Sequence, residues 1–233
     1  MNVSGIKILA FDADDTLWEN EPMFRQAEAD WLSLMSDYGD PETLYQALFE
    51  VESANIPVYG YGAKPFTLNM LEAGLKVTGG NLSPAIAAKM IEVGRNLLFN
   101  PAEPMPHVVE SLEKLSSSGR FRMIVLTKGD LLDQEQKLHR SGLLQFFERI
   151  VIVSKKTRKE YLQVCSDMSF SMDEMLMVGN SFKSDIDPVL QLGGSGVFIP
   201  FRVLWAHEHM EPYSHPRLVT LASIRDLPAV LLG

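Results

Sequence analysis

The sequence predicts an α/β fold, a doubly wound parallel sheet carrying a small helical insertion, and three observations lead there. Short apolar runs recur along the chain and are nearly continuous in apolar residues rather than alternating. Helix-like segments separate these runs from Arg120 onward. One long stretch of helical pattern intervenes between the first run and the second. Continuous apolar strands suit a parallel sheet covered on both faces. Alternation of strand and helix is how such sheets are wound.

Taken in order, the first strand covers residues 6–11, and further strands cover 122–126, 149–153, 175–178 and 196–199, with 218–221 a sixth candidate. A direct crossover between parallel strands needs only about a dozen residues, so the stretch between the first two strands is a separate element. Pro22 sits where the first turn of a helix tolerates proline. Phe24, Ala27, Trp31, Leu34 and Tyr38 then repeat at helical spacing, and Gly39 and Pro41 punctuate. A second helix is expected over 42–52. A third is expected over 84–99, with Ala88, Ile91 and Leu98 on one face. Residues 59–64 read as a Gly-rich break and 101–106 as a return hinge. The expected division is an α/β core of residues 1–19 and 101–233, with residues 20–100 forming a small α-helical cap over the open end of the sheet.

Composition narrows the function classes. The chain has 233 residues, 46% hydrophobic and 22% charged, ordinary values for a globular protein. A formal net charge of −9 argues against nucleic acid or an anionic membrane surface as the main partner. The single cysteine, Cys165, cannot form an intramolecular disulfide and suits a reducing compartment. It lies in a helix-like apolar run, which disfavours a catalytic thiol. No run approaches the ~20 apolar residues that span a bilayer, and no signal peptide is evident. A cytoplasmic location is expected. Oligomeric state is left open.

Chemistry concentrates at the end of the first strand, where Phe11 is followed by Asp12, Ala13, Asp14, Asp15, Thr16 and Leu17. Acids packed at the tip of a buried strand cost free energy through desolvation and mutual repulsion, a cost met mainly where they bind a cation or react. Asp12 comes directly off the strand and is the candidate nucleophile. Asp14, two residues on, projects to the same side if the strand continues locally, and is the candidate proton donor and acceptor. Thr16 can tie the turn through its hydroxyl. A solvated acidic loop is the alternative. Asp15 is the acid least expected to do chemistry.

This Asp-x-Asp-x-Thr-Leu pattern resembles the first motif of the haloacid dehalogenase (HAD) superfamily, although glycine is usual where Asp15 stands. The resemblance covers the core, roughly residues 5–20 and 101–205, and implies a Rossmann-like sheet. Haloacid dehalogenases proper lack the second acid, so Asp14 points to phosphate chemistry. Thr127, ending the second strand, resembles the family's hydroxyl that holds the transferring phosphoryl group, with the backbone N–H groups after it helping. Lys128 and Gly129, next in the chain, are therefore expected at the substrate. Trp18 beside the acids, and Tyr59, Tyr61 and Lys64 in the cap, are further candidates for substrate contact, with core packing or surface placement as the alternative. The family's lysine has three candidates, Lys155, Lys156 and Lys159. Thr157 and Glu160 have capping-box spacing, which sets Lys156 just ahead of a helix and favours it. The segment from Gly179 through Asn180 to Asp185 resembles the family's last motif, with Asn180 in place of the usual aspartate. Asp185 is the expected metal carboxylate.

These pieces imply Mg2+, a hard cation suited to oxygen donors, held by Asp12, Asp185 and the Asp14 backbone carbonyl, with Asn180 a more distant contributor. No His/Cys cluster suggests zinc, and His207, His209 and His215 fall in a late loop. The implied activity is hydrolysis of a small phosphate monoester through an aspartyl-phosphate. The alternatives are a phosphomutase-type phosphotransferase on the same core and a catalytically weak binding or regulatory relative. Receiver-type signalling modules fit poorly, because their phosphorylated acid ends the third strand.

Overall fold

The computed structural model describes the whole chain, Met1 to Gly233. Six strands, β1 (Ile8–Phe11), β2 (Arg122–Lys128), β3 (Arg149–Val153), β4 (Met175–Gly179), β5 (Ser195–Phe198) and β6 (Leu218–Thr220), form one sheet. Every pairing is parallel, in the order β3-β2-β1-β4-β5-β6. The doubly wound α/β class predicted from sequence is the observed one. Chain order reverses between β1 and β4, the point where open α/β sheets place their ligands. Register brings the key residues out together there. Phe11 pairs with Val125 on one side and Val178 on the other, and the Asp12 N–H donates to Val178 O at 2.9 Å.

The near-continuous apolar strands are explained by what covers them. Leu9, Phe11, Met123, Val125, Leu176 and Val178 pack on one face with residues of α5 (Val108–Ser117), α6 (Leu131–Ser141) and α9 (Leu227–Leu232). Ile8, Ala10, Ile124, Leu126, Met175 and Met177 face the other way, onto α7 (Arg158–Met168) and α8 (Asp187–Gln191). Alternate residues thus enter two different apolar layers, and neither face needs polar side chains.

The chain divides into two compact units, Met1–Glu21 with Ala102–Gly233, and Pro22–Pro101. The second is helical, with α1 (Glu21–Leu34), α2 (Pro41–Tyr59), α3 (Ala63–Val77) and α4 (Pro84–Leu97). Its core is built on Trp31, Met35, Leu44, Leu48, Phe66, Met70 and Met90. The Trp31 indole donates to Met70 O at 2.9 Å, which satisfies the one polar atom that this ring buries. Two expectations need correction. The second helix does not stop near residue 52 but runs to Tyr59, through Pro57. The supposed break over 59–64 shrinks to Gly60–Gly62, and α3, which sequence reading missed, begins at Ala63. Gly60 and Gly62 both take positive φ, so the turn is real but short.

Helices α3 and α4 approach closely at Gly94. A Cβ placed there would lie 1.7 Å from Thr67 Oγ1 and 2.7 Å from Thr67 Cβ. Rotating Thr67 moves the hydroxyl but not its Cβ, so the helices themselves must part. Gly94→Ala is expected to destabilise the protein by about 1–3 kcal/mol through overpacking, which outweighs the ~1 kcal/mol that alanine gains in helix propensity. Denaturant unfolding checks this, and a midpoint at or above the wild-type value contradicts it.

Candidate active site

Asp12 leaves β1 directly into a buried position, and the loops after the neighbouring strands converge on it. Lys156, between β3 and α7, ion-pairs with Asp12 Oδ1 and donates to Asp185 Oδ1 at 2.7 Å. All three side chains are buried. Lys155 and Lys159 are exposed, so of the three candidate lysines only Lys156 enters the cluster. The Thr157 capping box starts α7 and fixes where the lysine leaves the backbone. Thr16 Oγ1 lies 3.2 Å from both Asp12 Oδ2 and Asn180 Oδ1, able to donate to either.

Asp185 is held by local backbone geometry. The Ser181 N–H donates to Asp185 Oδ2 at 2.9 Å, and Ser181 Oγ accepts from the Ser184 N–H at 3.0 Å. The segment Phe182–Ile186 forms a single π-helical turn. A Cβ on Gly179 would sit 2.3 Å from Asp185 Oδ2, so only glycine lets this carboxylate fold back over the end of β4. The buried Tyr161 hydroxyl donates to Ser184 O at 2.9 Å, pinning the same turn from α7.

The electrostatics follow from two buried carboxylates sharing one ammonium. Burial and then Asp185 push the Asp12 carboxyl up, to about 7, against the pull of Lys156. The two carboxylates overcome the desolvation of Lys156 and hold it protonated.

Asp14 belongs to a second cluster. Its carboxylate accepts from Lys137 Nζ at 2.7 and 2.9 Å, from Gln134 Nε2 at 2.7 Å and from the Trp18 indole at 2.8 Å. Trp18 is completely buried, and this corrects its assignment as a substrate contact: its ring is core and its N–H is spent on Asp14. Gly129 also needs correction. Its N–H donates to Val153 O at 3.2 Å, continuing the ladder between β2 and β3, so it is not free for a phosphate. Its φ of 143° lets the turn pass over Gln134, whose Nε2 would lie 3.0 Å from a Cβ there. Thr127 is buried at the end of β2, and its hydroxyl makes no hydrogen bond to Asp12, Lys156 or Asp185. Lys128 ion-pairs with Glu208 and reaches Ser184 Oγ at 3.3 Å. Glu208 also accepts from the Ser181 and Ser184 hydroxyls. Sequence reading gave no sign of Glu208, which comes from the late loop between β5 and β6. Lys137 and Gln134 left a weak trace, the spacing that sets both on one face of α6.

Asp15, at φ 61°, is buried and structural. Its carboxylate accepts from the N–H groups of Asn20 at 2.8 Å and Glu21 at 3.0 and 3.1 Å, where α1 begins. Nearby, the outgoing and returning chain pair, with the Met105 N–H donating to Leu17 O at 2.8 Å.

With this geometry in view, comparison with known proteins is decisive on family. Residues 6–193 match the model of the haloacid dehalogenase-like hydrolases. The chain belongs to this family. A HAD-like hydrolase from Xanthomonas campestris, known as a crystal structure, is 35% identical with a TM-score of 0.88, over 98% of this chain and 91% of that one. A glyceraldehyde 3-phosphate phosphatase from Methanothermobacter thermautotrophicus is 26% identical over 215 residues, 88% of this chain and 91% of its own. A Bacillus subtilis HAD-hydrolase solved bound to magnesium shares the fold at 20% identity, with a TM-score of 0.64 over 97% of this chain and 98% of that one. No helix of this HAD-like hydrolase is long and apolar enough to cross a membrane.

The buried Asp15 makes stability depend on pH. Burial is the main reason its carboxyl is pushed up to about 7, with the two N–H donors opposing and Asp14 and Asp12 adding repulsion. In the unfolded chain it returns to the ordinary value near 4. The folded state therefore holds this proton more tightly, and stability falls as pH rises from about 4 to 7. Asp15→Asn keeps an acceptor for Asn20 and Glu21 without the charge. Its unfolding free energy should gain on the wild type across that window, by at most about 4 kcal/mol. Urea titrations at a series of pH values measure the gain, and a difference flat with pH contradicts the assignment.

Proposed function

We propose that this HAD-like hydrolase is a Mg2+-dependent phosphatase acting on a small soluble phosphate monoester, with Asp12 as nucleophile and Asp14 as acid and base. The observation that carries the reading is the convergence of Asp12, Lys156 and Asp185 from three strand ends at the switch point of the sheet. Asp12 attacks phosphorus while Asp14 gives its proton to the leaving oxygen as the P–O bond breaks. Asp14, now a carboxylate, then takes a proton from the water that attacks the aspartyl-phosphate. Inorganic phosphate leaves and Asp12 returns as a carboxylate. The Lys156 ammonium faces the nucleophile and attracts the phosphate.

The donor set fits a hard divalent cation. Asp12, Asp185 and Asn180 offer oxygen only, and two carboxylates against one ammonium leave the cluster one negative charge in excess. Asp12 and Asp185 would hold the ion, together with the Asp14 backbone carbonyl. Bound there, Mg2+ would neutralise that charge, favour the ionised form of Asp12 and orient phosphate oxygens. The magnesium-bound fold neighbour supports the same reading.

The related archaeal phosphatase supports a small phosphate ester as the substrate class. Because the helical unit is inserted directly after the acidic strand end, we read it as a cap that selects the leaving group. A lone free cysteine agrees with a cytoplasmic setting.

A phosphate-release screen over sugar phosphates, nucleotides and phospho-acids is the test. Turnover should stop with a chelator and return with Mg2+, and Mg2+ alone should raise the Tm by relieving the excess charge. Asp12→Asn should lower kcat more than about 1000-fold, as loss of a nucleophile does. Full hydrolysis by folded Asp12→Asn, or undiminished turnover in chelator, overturns the proposal.

A further inference from the structure

We infer that Lys137, assisted by Gln134, is the positioning residue that makes Asp14 an effective acid and base. The inference rests on the reading of Asp14 given above.

Helix α6 places Asp133, Gln134 and Lys137 within one turn, and all three side chains are buried. Lys137 is among the largest fully buried side chains of the protein. It turns inward, with Nζ on both oxygens of Asp14, on Asn20 Oδ1 at 3.2 Å and on Asp133 Oδ2 at 3.5 Å. Each Asp14 oxygen thereby has two N–H donors. Oδ1 accepts from Lys137 and Trp18, and Oδ2 from Lys137 and Gln134. These four contacts come from three side chains, and because two of them are from Lys137, losing that lysine halves the hold on this carboxylate.

Fold stability alone gives no reason for such a cluster. A buried ion pair is often no better for stability than apolar residues of similar volume. The same turn also buries two acceptors, Asp133 Oδ1 and Gln134 Oε1, that have no hydrogen-bond partner, a cost that native structures usually avoid. What the cluster does secure is the direction in which Asp14 faces. General acid–base catalysis requires the carboxyl within hydrogen-bond reach of the oxygen that it protonates. Side chains that act through such a group raise the rate by limiting its geometry.

Leaving-group dependence separates this role from a merely structural one. An alkoxide must be protonated as it departs, whereas a nitrophenolate leaves without a proton. Asp14→Asn, Lys137→Met and Gln134→Met are each assayed on an alkyl phosphate and on p-nitrophenyl phosphate. Asp14→Asn should lose roughly 100-fold or more on the alkyl ester, the usual weight of a general acid, and far less in the first step on the aryl ester. That step is read as the burst of nitrophenolate. Lys137→Met should show the same split, by roughly tenfold or more, and Gln134→Met a smaller one. The double variant Asp14→Asn/Lys137→Met should lose no more on the alkyl ester than Asp14→Asn alone. The burst also reports that each variant is folded. If Lys137→Met yields no folded protein, the split in Gln134→Met decides. The inference is overturned if Asp14→Asn discriminates between the esters while Lys137→Met and Gln134→Met lose both activities equally or neither. If Asp14→Asn itself shows no discrimination, the assignment of Asp14 fails first.

Discussion

A lysine buried between two buried carboxylates is the constraint around which this molecule is arranged. Lys156 meets Asp12 from the end of β1 and Asp185 from the turn after β4, and it comes from the loop after β3. Removing Lys156 leaves two uncompensated carboxylates in a desolvated position, a loss that costs several kcal/mol in comparable settings. The local structure serves that meeting. Register sets Phe11 between Val125 and Val178, Gly179 gives Asp185 room, and Tyr161 holds the π-helical turn from behind.

Strands were the most legible part of the sequence. The run 149–153 has the bounds of β3, and the other strands differ from their expected runs by two residues or fewer at each end. Continuous apolar composition is unambiguous when both faces of a sheet are covered. The helical unit was harder to read. Helix α2, expected to end at residue 52, continues through Pro57 to Tyr59. Helix α3 begins straight after Gly62, inside the Gly-rich run 59–64 that reads as a break, and carries Pro65 in its first turn, where helix tolerates it. Tertiary packing in this unit overrides local punctuation by glycine and proline.

Within the site, legibility followed distance along the chain. Asp12, Asp14 and Asp185 stand in spaced patterns near strand ends, and Lys156 stands next to a capping box, so each carried a local signal. Glu208 carried none. Glu208 reaches Lys128, Ser181 and Ser184 from a loop without periodicity, and nothing near it in sequence marks it. Trp18 and Gly129 were misread for a related reason. Both adjoin reactive residues in the chain, but the Trp18 ring is buried core and the Gly129 N–H completes a ladder. Adjacency in sequence says little about where a side chain or N–H points. Asp15 shows the same rule from the other side: among three neighbouring acids, it is the backbone N–H groups at the start of α1 that claim it.

Covalent phosphorylation of Asp12, proposed above, can be measured chemically. The enzyme is mixed with a phosphate monoester that it turns over, quenched in acid within the first turnover, digested and analysed by mass spectrometry. One phosphoryl group is expected on the peptide containing Asp12, rising and decaying at rates compatible with kcat. Product released in that first turnover with no phosphorylated peptide, or with the phosphoryl group on a different residue, would contradict it.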